Sequence, residues 1–183
     1  DRIWLRHMKS EGIITGKAAI EFRKWSVDQG PYPWDDGDVW TEIDRHLGLN
    51  DVRAAAALLR HYLEHISAEL CHRLRAPVGF RGDAQYQLGE LLPPAIGRLR
   101  KLYASAKSAE GSWDRRDEVK RIAALEDGFT ALVTASNVEQ WQVNAAVHFN
   151  SWENLQAADF TPVAKAFRQL LGGFACPKCS QFL

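Results

Sequence analysis

The stretch DVRAAAALLRHYLEHISAELCHRLR, residues 51–75, gives the clearest helical signal in the chain. Its apolar side chains recur every three or four residues, which is the period of an amphipathic α-helix. The apolar positions are Val52, Ala56, Leu59, Leu63, Ile66 and Leu70, and the polar face includes Arg53, Arg60, Glu64 and Arg73. Asn50 follows a break at Gly48-Leu49 and is a residue type that caps helices, so we expect it to be the N-cap. A single apolar stripe of this length needs other helices to cover it.

Similar patterns on both sides predict the helices that would cover it. We expect helices from Asp38 to Gly48, over residues 85–105, from Asp114 onward, from Ser136-Asn137 onward, and from about 160 to 171. In the second of these, Pro93-Pro94 must either start the helix or kink it. A polar loop is predicted over residues 105–113, and Asp159 is the predicted N-cap of the last helix, with Pro162 in its first turn. The predicted fold is mainly α, a bundle of four to five helices with a small N-terminal extended or strand segment within residues 16–27.

Composition limits the classes of function. The chain has 183 residues, 46% of them hydrophobic and 25% charged, with 23 Lys plus Arg against 23 Asp plus Glu. A balanced charge gives no global field that would attract nucleic acid, so any such contact has to be local. No apolar run approaches the roughly 20 residues needed to span a bilayer, and no leader pattern is present. We therefore expect a cytoplasmic protein without a membrane partner.

The two ends of the sequence predict a piece of a longer polypeptide. The first residue is Asp1 rather than Met, and the last residues contain only the pair Cys176-x-x-Cys179. We expect residues 1–36 to be the strand-and-turn tail of a preceding domain, residues 37–173 to be the helical bundle, and residues 174–183 to begin a zinc-ribbon segment.

The chemistry of a site is most concentrated in Val143-Asn144-Ala-Ala-Val-His148. On a helix, residues four apart share a face, so the Asn144 amide and the His148 imidazole would point at the same spot. Such a pair can bind phosphate or move a proton, and it can equally be two solvated surface residues.

This segment resembles the HEPN family (higher eukaryotes and prokaryotes nucleotide-binding), whose bundles carry Arg-Asn-x-x-x-His on the penultimate helix before an apolar final helix. The resemblance covers roughly residues 51–173, with Asn144 and His148 at the family's Asn and His positions. It implies an RNase that needs no metal, in which His148 is the acid or base and Asn144 orients the phosphate or the imidazole. The family's arginine is Val143 here, and an apolar side chain cannot stabilise a phosphoryl oxyanion. Arg60 or Arg73 would have to replace it as a nucleic-acid contact.

The first residues, Asp1-Arg-Ile-Trp-Leu5, are similar to the segment after the switch histidine of SMC/RecN-like ABC-type ATPases. The resemblance implies a helical domain at the C-terminal end of such an ATPase, as occurs in bacterial anti-phage defence. ATP would then bind to an upstream domain, since no Walker A loop occurs in this sequence.

The two terminal cysteines have the spacing of half a zinc ribbon. Cys176 and Cys179 would be metal ligands in the full-length protein, where two further ligands would complete the tetrahedral zinc site. His61 and His65 have the i, i+4 spacing of metalloprotease helices, but Glu64 is next to the wrong histidine. Surface histidines are therefore the favoured interpretation.

Aromatic and basic residues offer a weaker signal for nucleic-acid binding. We expect the tryptophans near helix ends, among them Trp113, to close the core rather than stack on bases. Three local basic clusters occur: Arg73, Arg75 and Arg81; Arg98, Arg100 and Lys101; and Arg115, Arg116, Lys120 and Arg121. Acidic neighbours offset the third cluster, which favours a solvated face there.

These patterns leave three functional hypotheses. The first is a non-catalytic, HEPN-like domain of an SMC-like ATPase that forms a homodimer or senses RNA or DNA. The second is a metal-independent RNase that uses His148. The third is a purely structural lid of an ATPase head.

Overall fold

The computed structural model describes residues 8, 11–14, 22–26, 30–33, 36–82, 86–147, 156–176 and 182–183, with the backbone alone described over 22–38 and 137–147. In these parts the chain forms one short hairpin and five α-helices. The strands are β1 (Phe22–Ser26) and β2 (Gly30–Pro33), and the helices are α1 (Asp36–Gly48), α2 (Val52–Leu74), α3 (Leu88–Ser112), α4 (Arg116–Val147) and α5 (Ala157–Gly172). The predicted helical bundle is confirmed.

The chain divides into two compact units, Asp1–Glu42 and Ile43–Leu183. In the first unit, β1 and β2 pair in antiparallel register, with an irregularity between Phe22 and Lys24. The second unit contains the helical bundle, in which α2 packs against α3, α4 and α5, α3 packs against α4, and α4 packs against α5. Among the described residues, none of the helices combines the length and hydropathy that a bilayer-spanning segment needs.

The predicted apolar stripe of α2 forms the centre of this bundle. All six predicted positions are buried, and they are joined by further buried residues of the same helix. The cores of α3 and α5 follow the same rule, with side chains such as Leu92, Leu99, Phe160 and Phe167 at most 3% exposed. Burial of each such side chain stabilises the fold by about 1.5–3 kcal/mol, which is why the periodicity predicts the core correctly.

The predicted N-caps of α2 and α5 are wrong by one and three residues. Asp51, not Asn50, caps α2, because its carboxylate accepts a hydrogen bond from the backbone N–H of Ala54 at 3.1 Å. Asp159 is the third residue of α5 and forms a reciprocal capping box with the N-cap Gln156. Pro162 accordingly lies beyond the first turn of α5, and Pro93-Pro94 lie inside α3 rather than at its start.

Asn50 instead joins the turn before α2 to the start of α5. Its backbone adopts a positive φ of 56°, and its side chain accepts a hydrogen bond from the N–H of Ala157 at 2.7 Å. The same side chain donates to Oε1 of Gln156 at 2.9 Å. The amino ends of α2 and α5 therefore lie side by side.

Two predicted helix breaks are absent. The predicted loop over residues 105–113 is helical as far as Ser112, where Lys107 pairs with Glu126 on α4 and so ties this part of the helix to its neighbour. The predicted helix start at Ser136-Asn137 lies inside α4, where the buried Ser136 hydroxyl donates to the carbonyl of Val133 at 2.9 Å. Bonding back to its own helix lets serine continue a helix that its local preference would end.

The directions of α3, α4 and α5 follow from contacts and chain length. Tyr103 on α3 lies against Phe129 on α4, and Lys107 pairs with Glu126, so these two helices form an antiparallel hairpin. Phe129 also contacts Phe174 just after α5, with ring centroids 5.1 Å apart. If α5 ran parallel to α4, the chain between the end of α4 and Gln156 would have to run back past Phe129 to the far end of the bundle. That connection is too short to do so, because each residue spans at most about 3.6 Å. The carboxyl end of α4 therefore lies at the amino end of α5.

Candidate nucleic-acid interface

The carboxyl end of α2 brings together two of the basic clusters predicted from the sequence. Arg98 on α3 donates from Nε to the carbonyl oxygen of Leu74, the last residue of α2, at 2.9 Å. Leu74 is flanked by Arg73 and Arg75, so this one bond joins clusters that are separated by more than twenty residues in the chain. Lys101 lies three residues after Arg98, on the same face of α3.

We call four residues the basic patch: Arg73, Arg75, Arg98 and Lys101. Arg100 lies two residues after Arg98, towards the other side of α3. Arg75, Arg100 and Lys101 are exposed, and they have no ion pair or side-chain hydrogen bond within the part of the chain that the structure describes. No Asp or Glu occurs in residues 70–82 or in residues 91–109. The basic patch is thus a local positive surface on a chain whose total charge is zero.

Part of this charge balances the carboxyl end of α2. Helix carbonyls there carry a partial negative charge of about half an electron, which attracts cations. Arg75 adopts a left-handed conformation with φ 52°, and its backbone N–H caps carbonyls of the last turn. Because Arg98 and the backbone satisfy these carbonyls, the guanidinium of Arg75 stays available for a ligand.

The third basic cluster is neutralised by its neighbours. Arg116 pairs with Asp114 at 3.0 Å, and Arg121 pairs with Glu118 at 2.7 Å. Lys120 lies 3.7 Å from Asp117. These exposed pairs agree with the solvated face that the sequence predicted, and they leave little net charge for a polyanion.

Trp113 does not close the core as predicted. Its side chain is 63% exposed at the turn between α3 and α4, and the Arg115 guanidinium lies 5.2 Å from the ring centroid. The turn lies at the tip of the α3–α4 hairpin, where no side chain from Arg100 to Arg121 is buried. The described side chains around the tip are exposed or half-buried, so Trp113 meets no core there. Trp40, by contrast, is 8% exposed.

The two arginines proposed as nucleic-acid contacts are not brought together. Arg60 pairs with Glu64 one turn away at 3.1 Å, whereas Arg73 donates to the carbonyl of Phe182 at 3.0 Å and lies 4.0 Å from Glu69. Thirteen residues of helix separate them by about 20 Å, and they point to sides of α2 about 140° apart. They therefore cannot hold the same phosphate, and of the two only Arg73 belongs to the basic patch.

The Asn144 and His148 pair falls at the edge of what is described. Val143 and Asn144 lie in the last turns of α4, in a backbone that is helical to Val147. His148 lies outside the described residues, as does the geometry of the pair. Asn144 nevertheless belongs to the penultimate helix, which is followed by the apolar helix α5.

The cysteines differ in environment. Cys71 is buried in α2, its thiol donates to the carbonyl of Leu91 at 3.0 Å, and burial raises its pKa to about 11. Cys176 is half-buried just after Ala175, whose backbone bridges to Phe182, while Cys179 lies outside the described residues. Across the described ranges, no three His, Cys, Asp or Glu side chains gather closely enough to hold a metal ion.

Sequence reasoning missed one residue, Phe80. It lies in the loop between α2 and α3 and is 94% exposed, more than any other large apolar side chain described. The only signal in the sequence is its position between Gly79 and Arg81, in a segment rich in loop-forming residues.

Comparisons with protein-family models, with curated proteins and with solved structures gave no match.

Proposed function

We propose that this chain is a non-catalytic helical domain that binds nucleic acid through the basic patch. The observation that carries the proposal is the bond from Arg98 to Leu74, which gathers the arginines and lysine of two helices at one place. Phosphate contacts by Lys and Arg supply most of the affinity of sequence-independent nucleic-acid binding. A patch of this kind is sufficient for such binding even when a protein has no net charge.

The wider context of the proposal comes from resemblance. A HEPN-like bundle at the C-terminal end of an SMC-like ATPase, acting in bacterial anti-phage defence, would use the patch to sense RNA or DNA. The resemblance at residues 1–5 lies outside the described residues, and the HEPN resemblance rests on Asn144 and His148.

The test is binding of fluorescein-labelled RNA and DNA oligonucleotides, measured by anisotropy at several salt concentrations. The double variant Arg75→Glu/Lys101→Glu should weaken binding by at least about tenfold near 100 mM salt, because two phosphate contacts become repulsive. It should also lower the slope of log K against log salt by about 2, since each lost phosphate contact removes about 1.

Arg53→Glu is the matched control for this experiment. Arg53 is an exposed cation in the first turn of the same helix, and it too has no ion pair among the described residues. It is about 33 Å from Arg75 along α2. Equal losses in Arg53→Glu and in the double variant would refute the basic patch, as would the absence of any binding at micromolar protein.

A second candidate function is favoured by the position of Asn144. An amide on the penultimate helix, followed by an apolar helix, is the arrangement that the HEPN resemblance implies for an RNase. Incubation of the protein with tRNA in EDTA tests this function. Cleavage that disappears in His148→Ala would establish it, and intact RNA at micromolar protein would reject it.

Homodimer formation is the remaining part of the first hypothesis. The exposed tip of the α3–α4 hairpin carries Trp113, and Leu102 and Leu125 are 36% and 48% exposed in the same hairpin. Sedimentation equilibrium measures the oligomeric state directly. A dimer dissociated by Leu125→Glu would assign this surface, whereas a monomer at 100 µM protein, on the order of a weak interface's Kd, would exclude a stable dimer.

A further inference from the structure

Phe80 differs from the core phenylalanines of this chain. Phe129, Phe160, Phe167 and Phe174 are at most 2% exposed, whereas Phe80 is 94% exposed. A single exposed apolar residue is common on protein surfaces and indicates nothing alone. What distinguishes Phe80 is how its backbone is held and which charges surround it.

The loop around Phe80 is fixed on both sides. The backbone N–H of Arg81 donates to the Tyr86 hydroxyl at 3.3 Å, and its guanidinium donates to both carboxylate oxygens of Glu90 at 3.0 and 3.1 Å. On the other side, Ala76 N–H donates to the carbonyl of Cys71 at 2.8 Å. These bonds anchor the loop at Ala76 and at Arg81, on either side of Phe80, and leave the exposed ring accessible to a ligand.

The ring is also close to the basic patch. Phe80 follows Arg75 by five residues, so their backbones are at most about 18 Å apart. Each stacked nucleotide advances about 3.4 Å along the strand axis, so a segment of at most roughly six nucleotides would reach from one to the other. Aromatic side chains beside a positive groove are the usual means of holding single-stranded nucleic acids.

We infer that Phe80 stacks on an unpaired base of a single-stranded nucleic acid whose phosphates lie on the basic patch. This inference rests on the proposed function and specifies its ligand. In a duplex the base faces are already stacked inside the helix, so the ring could stack only after a base step is opened, which costs a few kcal/mol. The shared chemistry of single-stranded RNA and DNA is an unpaired base next to a phosphodiester.

The charges around Phe80 disfavour a second copy of this chain as the occupant. All charged side chains in residues 70–82 are basic. Arg81 is paired with Glu90, so in a two-fold contact through Phe80 the repulsion would come from the exposed Arg75 of each copy. An anionic ligand matches the surface, and nucleic acid combines that charge with an aromatic face.

The experiment compares Phe80→Ala, Phe80→Leu and Phe80→Trp for binding to a 12-nucleotide oligo-U, a 12-nucleotide oligo-dT and a 12-base-pair duplex. We expect Phe80→Ala and Phe80→Leu to weaken single-strand binding by about fivefold to a hundredfold, because the stacked ring is lost. Phe80→Trp should bind as well as the native protein or better. Duplex binding and the salt dependence should not change, because no phosphate contact is altered. The two single strands show whether RNA or DNA is preferred.

Fluorescence of 2-aminopurine in the strand provides a readout independent of affinity. Stacking on Phe80 should quench the fluorescence of 2-aminopurine at one position of the strand when the native protein binds. The same quenching should be absent with Phe80→Leu. Native-like binding by Phe80→Leu, or equal losses on single strand and duplex, would overturn the inference.

The outcomes also separate this inference from the proposed function. Loss of binding in Arg75→Glu/Lys101→Glu with native-like binding in Phe80→Ala would reject the stacking role and keep the basic patch. Absence of nucleic-acid binding in the native protein would reject both. A dimer, seen by sedimentation, that Phe80→Ala dissociates would assign the ring to a protein contact and refute the stacking role.

Discussion

Gly173, the residue that follows α5, tests the packing of the bundle most directly. A methyl group at this position would lie 2.9 Å from Cδ2 of Phe129, 3.1 Å from the carbonyl oxygen of Leu170 and 3.2 Å from Cδ1 of Leu132. Phe129 is 2% exposed and is held between Tyr103 and Phe174, so it has little room to move. The backbone of Gly173 has a helical φ of −66°, so crowding and not strain decides the outcome.

Gly173→Ala should therefore destabilise the protein by about 1–3 kcal/mol, which is the usual cost of overpacking a core. Its neighbour gives a matched control, because a methyl group at Gly172 would meet nothing within 4 Å. Gly172→Ala should leave stability unchanged or raise it by about 0.5–1 kcal/mol, since alanine loses less backbone entropy on folding.

The assay is urea unfolding followed by circular dichroism, with thermal unfolding as a second measurement. For a protein of this size, 1 kcal/mol corresponds to about 2–4 °C in the unfolding midpoint. Gly173→Ala should thus unfold several degrees below the native protein, whereas Gly172→Ala should unfold at the native temperature or slightly above it. Equal stability of the two variants would refute the close contact between Gly173 and Phe129.

Three further outcomes follow from buried and capping groups. Ser67 is 0% exposed and its hydroxyl has no partner among the described residues. Ser67→Ala should therefore stabilise the protein by about 1 kcal/mol, measured by urea unfolding. Ser136→Ala, which removes a hydrogen-bonded hydroxyl, should not stabilise it. Asn50→Ala should cost about 1–3 kcal/mol and Asn50→Gly less, because glycine keeps the positive φ; equal losses would contradict the conformational part of the cost. Burial raises the pKa of Cys71 from 9.0 to about 11, so the folded state favours the protonated thiol. The stabilisation of the folded state that results is complete below pH 9 and is lost as the pH rises towards 11. Cys71→Ala should show a shallower decline in unfolding free energy over that range, and identical pH profiles would count against the buried thiol.

The sequence predicts the helical stripes well and their ends poorly. Apolar periodicity identified the buried face of α2 because each of those side chains stabilises the folded protein only when it is buried inside the bundle. The breaks at residues 105–113 and at Ser136 were wrong because serine and glycine weaken a helix by amounts that packing against a neighbouring helix exceeds. Local preference decides a helix end only where tertiary contacts do not.

The candidate site shows the same division. Each basic cluster is visible in the sequence. The clusters lie close together in the fold because Arg98 donates a hydrogen bond to a carbonyl of another helix, and no local pattern predicts that bond. Phe80 was overlooked because a loop phenylalanine has the same sequence signature whether it is buried or exposed. In the fold, the neighbouring Arg81 is held by Tyr86 and Glu90, and the ring of Phe80 is 94% exposed.

The side-chain bridge from Asn50 to the start of α5 fixes the distance between the two regions proposed to contact nucleic acid, the basic patch and the segment around Asn144. It places the amino end of α2 at the end of the bundle where α4 terminates, and hence near Asn144, whereas the basic patch lies at the opposite end of α2. The separation along α2 is about 33 Å, equal to roughly ten stacked nucleotides. An oligonucleotide shorter than this footprint could occupy only one of these two regions at a time.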